Sequence, residues 1–143
     1  MTHTFNWKMV FKTQGALLII ESLFLLLPTA VALLCHEADA FAYGFSTAVT
    51  LLVGLISLRI GRQASRRVGE REGYVIVALV WVIFSLFGMM PFYLSGAIPS
   101  FTDAFFETMS GFTTTGATII DDVESLSHGL LFWRSLMQWI GGL

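Results

Sequence analysis

Apolar residues along this chain come in runs of membrane-spanning length. The first, Gly15 to Leu34, is interrupted by Glu21 and Pro28; the second, Ala40 to Leu58, holds no charged residue. The third, Gly73 to Leu94, is rich in Val, Ile and aromatics and ends near Pro91 and Tyr93. Each is about 20 residues, the length a helix needs to cross a hydrocarbon core of about 30 Å. His36-Glu37-Ala38-Asp39 makes a tight polar turn between the first two, which predicts an antiparallel pair. Pro28 is expected to bend its helix, and Glu21 to face protein or water, because a charge in hydrocarbon is costly. A further apolar segment begins at Gly129 and stops at Leu143, so the chain is expected to be cut inside its fourth membrane helix.

Between the third and fourth runs lies FTDAFFETMSGFTTTGATI, Phe101 to Ile119. Ser100 or Thr102 is suited to cap a helix there, with Asp103 and Glu107 in its early turns. About ten helical residues rise about 15 Å, half the hydrocarbon thickness. Gly111 is expected to give the turn at the helix end. Thr113-Thr114-Thr115 is β-branched and favours extended backbone, which membrane depth tolerates only inside protein or along a watery cavity. Gly116 is placed to adopt a conformation closed to other residues. The carbonyls of Thr113, Thr114, Thr115 and Gly116 are then predicted to face one axis and replace the hydration shell of a potassium-sized cation. The short helix would aim its partially negative C-terminal end at the same ion. The alternative is an external loop with an amphipathic helix lying on the membrane.

Charge gives the chain a direction. Lys8, Lys12, Arg59, Arg62, Arg66, Arg67 and Arg71, seven of the eight basic residues, fall on one side of the predicted spans. By the positive-inside rule that side is the cytoplasm, which puts the N-terminus inside. His36, Glu37, Asp39, Asp121, Asp122 and Glu124 fall on the other side, with Arg134 just inside the next helix. The arginines between the second and third spans have a topogenic role, or also dock a cytosolic partner. Lys8 and Lys12 before an apolar run also fit a secretory leader, but the run exceeds the usual 7–15-residue core of one. Leu33-Leu34-Cys35 lacks the small residues of a processed site, so a retained span is expected.

Composition agrees. The 143 residues are 55% hydrophobic and 13% charged, about half the charge of a soluble domain. The basic residues form no nucleic-acid face, and no nucleic-acid partner is expected. Cys35 is the single cysteine, which gives no disulfide framework or thiolate metal site within one chain and suits a small apolar residue at a helix end. No Gly-rich loop precedes a lysine as in a phosphate cradle. No nucleophile, base and orienting group occur together, so no enzyme activity and no cofactor are expected.

The order of span, DAFFE, MSGFTTTGAT and LFWRSLMQWIGG resembles the N-terminal part of bacterial Trk potassium-uptake membrane subunits, in the Trk/Ktr/HKT cation-transporter superfamily. The resemblance covers almost the whole chain. It implies an all-α polytopic membrane protein: two preliminary transmembrane helices, then an outer helix, a re-entrant pore helix, an extended filter loop and a truncated inner helix. On that pattern, residues 1–72 hold the tail, the preliminary pair and the basic loop, and 73–143 form the first helix–pore loop–helix repeat. Gly73–Leu94 is similar to the outer helix, Ser100–Ser110 to the pore helix, and Thr113–Ala117 to the filter strand with Gly116 as its glycine. Leu131 to Trp139 is similar to the start of the inner helix. The family has four such repeats around one pathway; a portion of a longer gene product is therefore expected rather than four assembled copies.

The resemblance implies potassium uptake across the bacterial cytoplasmic (inner) membrane, with potassium as transported substrate. It also implies a peripheral nucleotide-binding cytosolic regulatory subunit; the remaining repeats and a second copy in a homodimer complete the expected partners. A nonconducting membrane module that assembles or regulates a larger complex is the competing function. Asp103 and Glu107 fit an ion site, or helix-start acids with Glu107 buttressing the filter backbone. Arg134 is expected to pair with an acid of the outer loop or pore helix, or to reach the interface. Asp121, Asp122 and Glu124 suit an outer mouth or a plain solvated loop. His128 suits a helix start, and Gly54 and Gly61 suit close helix contact or chance.

Overall fold

The computed structural model describes residues 5–38, 40–63 and 69–142; the expectations for Asp39, Arg66 and Arg67 lie outside them. The described chain is helical: α1 (Trp7–Leu34), α2 (Ala40–Ile60), α3 (Glu70–Gly88), α4 (Met90–Leu94), α5 (Phe101–Phe112) and α6 (His128–Gly142), with a 3₁₀ turn at Val123–Ser125. Among the described residues, three segments are long and apolar enough to cross a membrane: α1, α2, and α3 with α4 counted together as Glu70–Leu94.

α1 begins well before its apolar run. Asn6 caps it, its side chain accepting from the Met9 amide at 3.2 Å. Its 28 residues measure about 42 Å, longer than a hydrocarbon core. Lys8 and Lys12 therefore lie on the first helical turns rather than ahead of the helix. Arg59 is in the last turn of α2, and Arg71 is in the first turn of α3. Gly61 abuts the backbone of Lys8 and Lys12, and the Asn6 amide donates to Glu72 at 3.3 Å. The described basic residues other than Arg134 thus gather at one end of the helices. α1 runs through Pro28 without interruption. The third span, expected as one helix to Leu94, divides at Met89, because Pro91 has no N–H to offer the carbonyl four residues back and fits only the first turn of a new helix.

α1 and α2 meet along small residues. A Cβ on Gly15 would stand 2.7 Å from both the Gly54 carbonyl oxygen and the Leu58 nitrogen. One on Gly54 would stand 3.0 Å from the Ile19 side chain. Both glycines serve close approach of two backbones, the way helices gain dispersion contact where no hydrophobic gradient drives them together. Ser46, Thr47 and Thr50 share this buried face of α2. Their hydroxyls donate back to the carbonyls of Ala42, Tyr43 and Ser46 at 2.6, 2.8 and 2.7 Å, so no donor is left unmet.

A second core lies where α6 packs beside α5 and α1 and reaches α3 through Trp133. Trp133 is fully buried and its indole N–H donates to the Gly88 carbonyl at 2.9 Å. Its ring meets Phe112 edge-on at 6.4 Å between centroids, and Phe112 meets Phe84 at 5.6 Å. Glu21 points into protein as expected, only 1% exposed, and its oxygens have no hydrogen-bond partner among the described residues. Gly88 leaves it room, since a Cβ there would stand 3.1 Å from Glu21 Oε1.

Replacing Gly15 with leucine forces α1 and α2 apart and should cost about 1–3 kcal/mol, the range for overpacking. Gly44 has no atom within 4 Å of its missing Cβ, so Gly44→Leu serves as the control. Thermal denaturation in detergent checks both. Equal melting of the two variants would place the close contact elsewhere.

Candidate functional site

Ser100 starts α5 from extended backbone and its hydroxyl accepts from the Asp103 amide at 3.4 Å. Asp103, in the first turn, complements the helix N-terminus. The 12 residues of α5 rise about 18 Å.

The helix ends later than the sequence suggested. It continues through Gly111 and Phe112, and the reversal falls on Thr114, with φ 54°. The Thr115 amide donates to the Ser110 carbonyl at 3.0 Å and the Thr114 amide to Gly111 at 3.1 Å, the paired bonds of a Schellman turn. The left-handed position in that turn normally takes glycine; an L residue there costs about 1–2 kcal/mol. Gly111 instead lies in the buried last turn, where a Cβ would stand 3.5 Å from the Met137 side chain. A Cβ on Gly141 of α6 would overlap the Phe112 carbonyl, so the end of α5 is seated on α6 backbone.

Residues 115–120 then run without helical structure, and Gly116 has φ 81°. The segment returns alongside α5. Ser110 donates its hydroxyl to the Ala117 carbonyl at 2.6 Å. The Thr118 hydroxyl lies 3.0 Å from each oxygen of Glu107, and the Ile119 amide donates to Glu107 Oε2 at 3.0 Å. From α6, Arg134 Nε donates to Glu107 Oε1 at 3.0 Å. Glu107 is buried and the Arg134 side chain is 19% exposed. One carboxylate thus joins the short helix, the returning segment and α6 by charge-assisted bonds, stronger than neutral ones. Between the two open alternatives for Glu107, the geometry is that of a buttress; Arg134 pairs with α5 rather than reaching outward.

At the reversal, the Thr113 hydroxyl donates to the Met109 carbonyl at 2.7 Å and lies 2.8 Å from that of Thr115. Thr114 donates to the Thr113 carbonyl at 2.7 Å. Residues Thr114 to Ile119 are exposed on this chain. Asp121, Asp122 and Glu124 follow on exposed backbone, where the Ser125 amide closes a turn on the Asp122 carbonyl at 3.3 Å. Two contributors went unnoticed in the sequence: Ser110, which pins the return, and Trp133, which ties α6 to α3. A tryptophan beside an arginine inside an apolar run was the available signal for Trp133, since neighbours about 100° apart on a helix are both buried only when two sides are packed.

Three membrane-capable segments followed by a short helix whose loop folds back and is latched to it define a multi-pass membrane protein. Residues 43–143 match the family TrkH, cation transport protein, and the chain belongs to that family. It is 36% identical over 137 residues to the Trk system potassium uptake protein TrkH of Halomonas elongata, covering 95% of this chain and 28% of that protein. It is 34% identical over 139 residues to the protein of the same description in Escherichia coli, covering 96% and 29%. The crystal structure of the potassium transporter TrkH from Vibrio parahaemolyticus superposes with a TM-score of 0.89 at 34% identity, covering 96% of this chain and 30% of that one. The chain spans under a third of the length of these relatives.

Arg134→Gln leaves Glu107 as a buried, uncompensated charge, at a cost of about 3–5 kcal/mol, and Glu107→Gln strips the bonds to Thr118, Ile119 and Arg134 from the latch. Glu107→Gln and Arg134→Gln are therefore each strongly destabilising, and the double variant loses less than their sum by about 0.5–3 kcal/mol. A thermal double-mutant cycle measures this, and strict additivity would mean that the two residues are not coupled. Thr114→Gly relieves the left-handed threonine and should raise the melting temperature; a fall would assign the threonine hydroxyl more than its turn costs.

Proposed function

We propose that this chain supplies the first of four filter repeats of a potassium uptake protein in the bacterial cytoplasmic (inner) membrane. In this reading α1 and α2 are the preliminary pair within 1–72. Residues 73–143 form the repeat, with α3 and α4 as outer helix, α5 as re-entrant pore helix, 113–117 as filter strand and α6 as inner helix. The carbonyls of Thr113, Thr114, Thr115 and Gly116 contribute one quarter of the oxygen cage that replaces water around a desolvated potassium ion. The observation that carries the proposal is the latch. Glu107 and Ser110 spend their polar groups holding 117–119 in place, while the reversal from Thr114 to Gly116 stays exposed toward whatever completes the pathway. The C-terminal end of α5 adds a partial negative charge at its foot.

Orientation with the N-terminus cytoplasmic is supported by the basic residues collected at one end of the helices. Potassium as the ion is supported by the relatives, whose descriptions name potassium uptake. The other three repeats are supported by the relatives' greater length. A homodimer and a peripheral nucleotide-binding cytosolic subunit rest on the family resemblance, and the basic end of α1, α2 and α3 is the surface such a subunit would meet.

Gly116 offers a clean test, because nothing lies within 4 Å of its missing Cβ. Gly116→Ser therefore acts on the backbone conformation and not by collision. Its strain of about 1–2 kcal/mol corresponds to roughly five- to thirtyfold in affinity. Uptake in a potassium-auxotrophic host should show weaker potassium binding and poorer discrimination against sodium. Wild-type affinity and selectivity would remove Thr113–Gly116 from the ion pathway. A cysteine at position 115 separates this reading from the nonconducting module: potassium should protect it, and free modification by bulky external reagents would favour the module.

A further inference from the structure

The turn between α1 and α2 lies against the start of α6, and three different ligand chemistries converge there. The Cys35 thiol, a Glu37 carboxylate oxygen and a His128 ring nitrogen all lie within 4.8 Å of one another. Sulfur, imidazole nitrogen and carboxylate oxygen are the donor set of zinc(II), with bonds of about 2.3, 2.0–2.1 and 2.0–2.2 Å. A tetrahedron with those bonds places its donors about 3.3–3.6 Å apart. Glu37 Oε1 and His128 Nδ1 are already 3.1 Å apart. Bringing the third donor in from no more than 4.8 Å takes a side-chain displacement of about 1 Å, and Cys35 is exposed and free to make it.

The backbones that present these groups are fixed. α1 ends in a second Schellman turn: His36 has φ 53°, its amide donates to Leu33 at 3.2 Å, and the Glu37 amide donates to Ala32 at 2.9 Å. Cys35 and Glu37 flank that residue. Across the gap, Glu37 Oε1 accepts from the His128 amide at 2.6 Å and Oε2 from the Gly129 amide at 3.2 Å, which caps α6. The Tyr43 hydroxyl lies 3.2 Å from that of Ser127, and a Cβ on Gly129 would stand 2.8 Å from the Tyr43 ring. A carboxylate has about four acceptor positions, so the capping bonds leave capacity for a metal. A single cysteine predicts no thiolate metal site; the fold brings His128 to Glu37 from 91 positions away.

We propose that Cys35, Glu37 and His128 form a site for a borderline-soft divalent transition metal, best matched by zinc, that locks the α1–α2 turn to the N-terminus of α6. Binding exchanges the thiol proton for a metal–sulfur bond and uses the neutral imidazole through Nδ1 with its proton on Nε2. Three protein donors leave the fourth position to water. The site stands apart from residues 113–119 and is independent of the ion assigned to them. It bears on them mechanically, since α6 also carries Arg134, which holds Glu107.

Cobalt(II), then zinc(II), titrated into the purified, metal-stripped native protein reads the site directly. Expected is a thiolate-to-cobalt charge-transfer band that saturates at one equivalent and is displaced by zinc. Cys35→Ser abolishes the band. His128→Gln weakens zinc binding at least about tenfold, the loss that even an outer-shell partner of a metal ligand commonly causes. Both side chains are exposed, and unchanged melting of the metal-free variants establishes that neither is misfolded. Absence of the band in the wild type, or zinc affinity left intact by both substitutions, overturns the site.

Discussion

Glu107 lies almost wholly out of solvent, and the second half of the chain is arranged around satisfying it. A carboxylate taken out of water needs both countercharge and hydrogen bonds, or its burial costs several kcal/mol. Here the guanidinium of Arg134 supplies the charge, and the Thr118 hydroxyl with the Ile119 amide supplies the bonds. The arrangement meets two needs together. The returning segment is irregular backbone, so its amides and carbonyls lack the partners a helix would supply. Glu107 provides one of them and Ser110 meets a carbonyl. The price is rigidity: α5, the return and α6 cannot move independently.

The same economy of polar groups runs through α1 and α2. Serines and threonines of α2 return their hydroxyls to their own helix, which leaves a small, satisfied face for Gly15 and its neighbours to approach. Close approach there is a matter of backbone on backbone, and a single side chain too many would undo it. At the opposite end of the helices the contact is electrostatic instead, with Glu37 capping α6 through two amides. α6 is thereby held at its start by the first hairpin, in its middle by Gly88 through Trp133, and at its end by the foot of the loop through Gly141.

α1 and α5 end without glycine. His36 and Thr114 take the left-handed position themselves, and in each case the following amide reaches back to complete the turn. Strain of this kind persists where surroundings over-determine it. Around Thr114 those surroundings are its own hydroxyl bond, the Thr113–Thr115 pair and the seat on Gly141. A β-branched residue at such a point is unfavourable locally, which is why Gly111 was the natural sequence choice for the turn and why that choice was wrong by three residues.

Spans, turns and the segregation of basic residues were legible in the sequence, because hydropathy and charge are local sums that each residue contributes wherever it folds. The family resemblance was legible for the same reason, carried by contiguous strings such as TTTGAT and WRSLMQWIGG. The left-handed Gly116 could also be anticipated, since only the residue itself decides how cheaply that conformation is reached. Tertiary structure alone decided which of the open alternatives Glu107 and Arg134 would take, that Pro91 would divide the third span, and that Cys35, Glu37 and His128 would meet. Those outcomes depend on which surfaces pack together. A pairing across 27 or 91 positions is fixed by the geometry of helix contacts, and no local pattern in the chain records it.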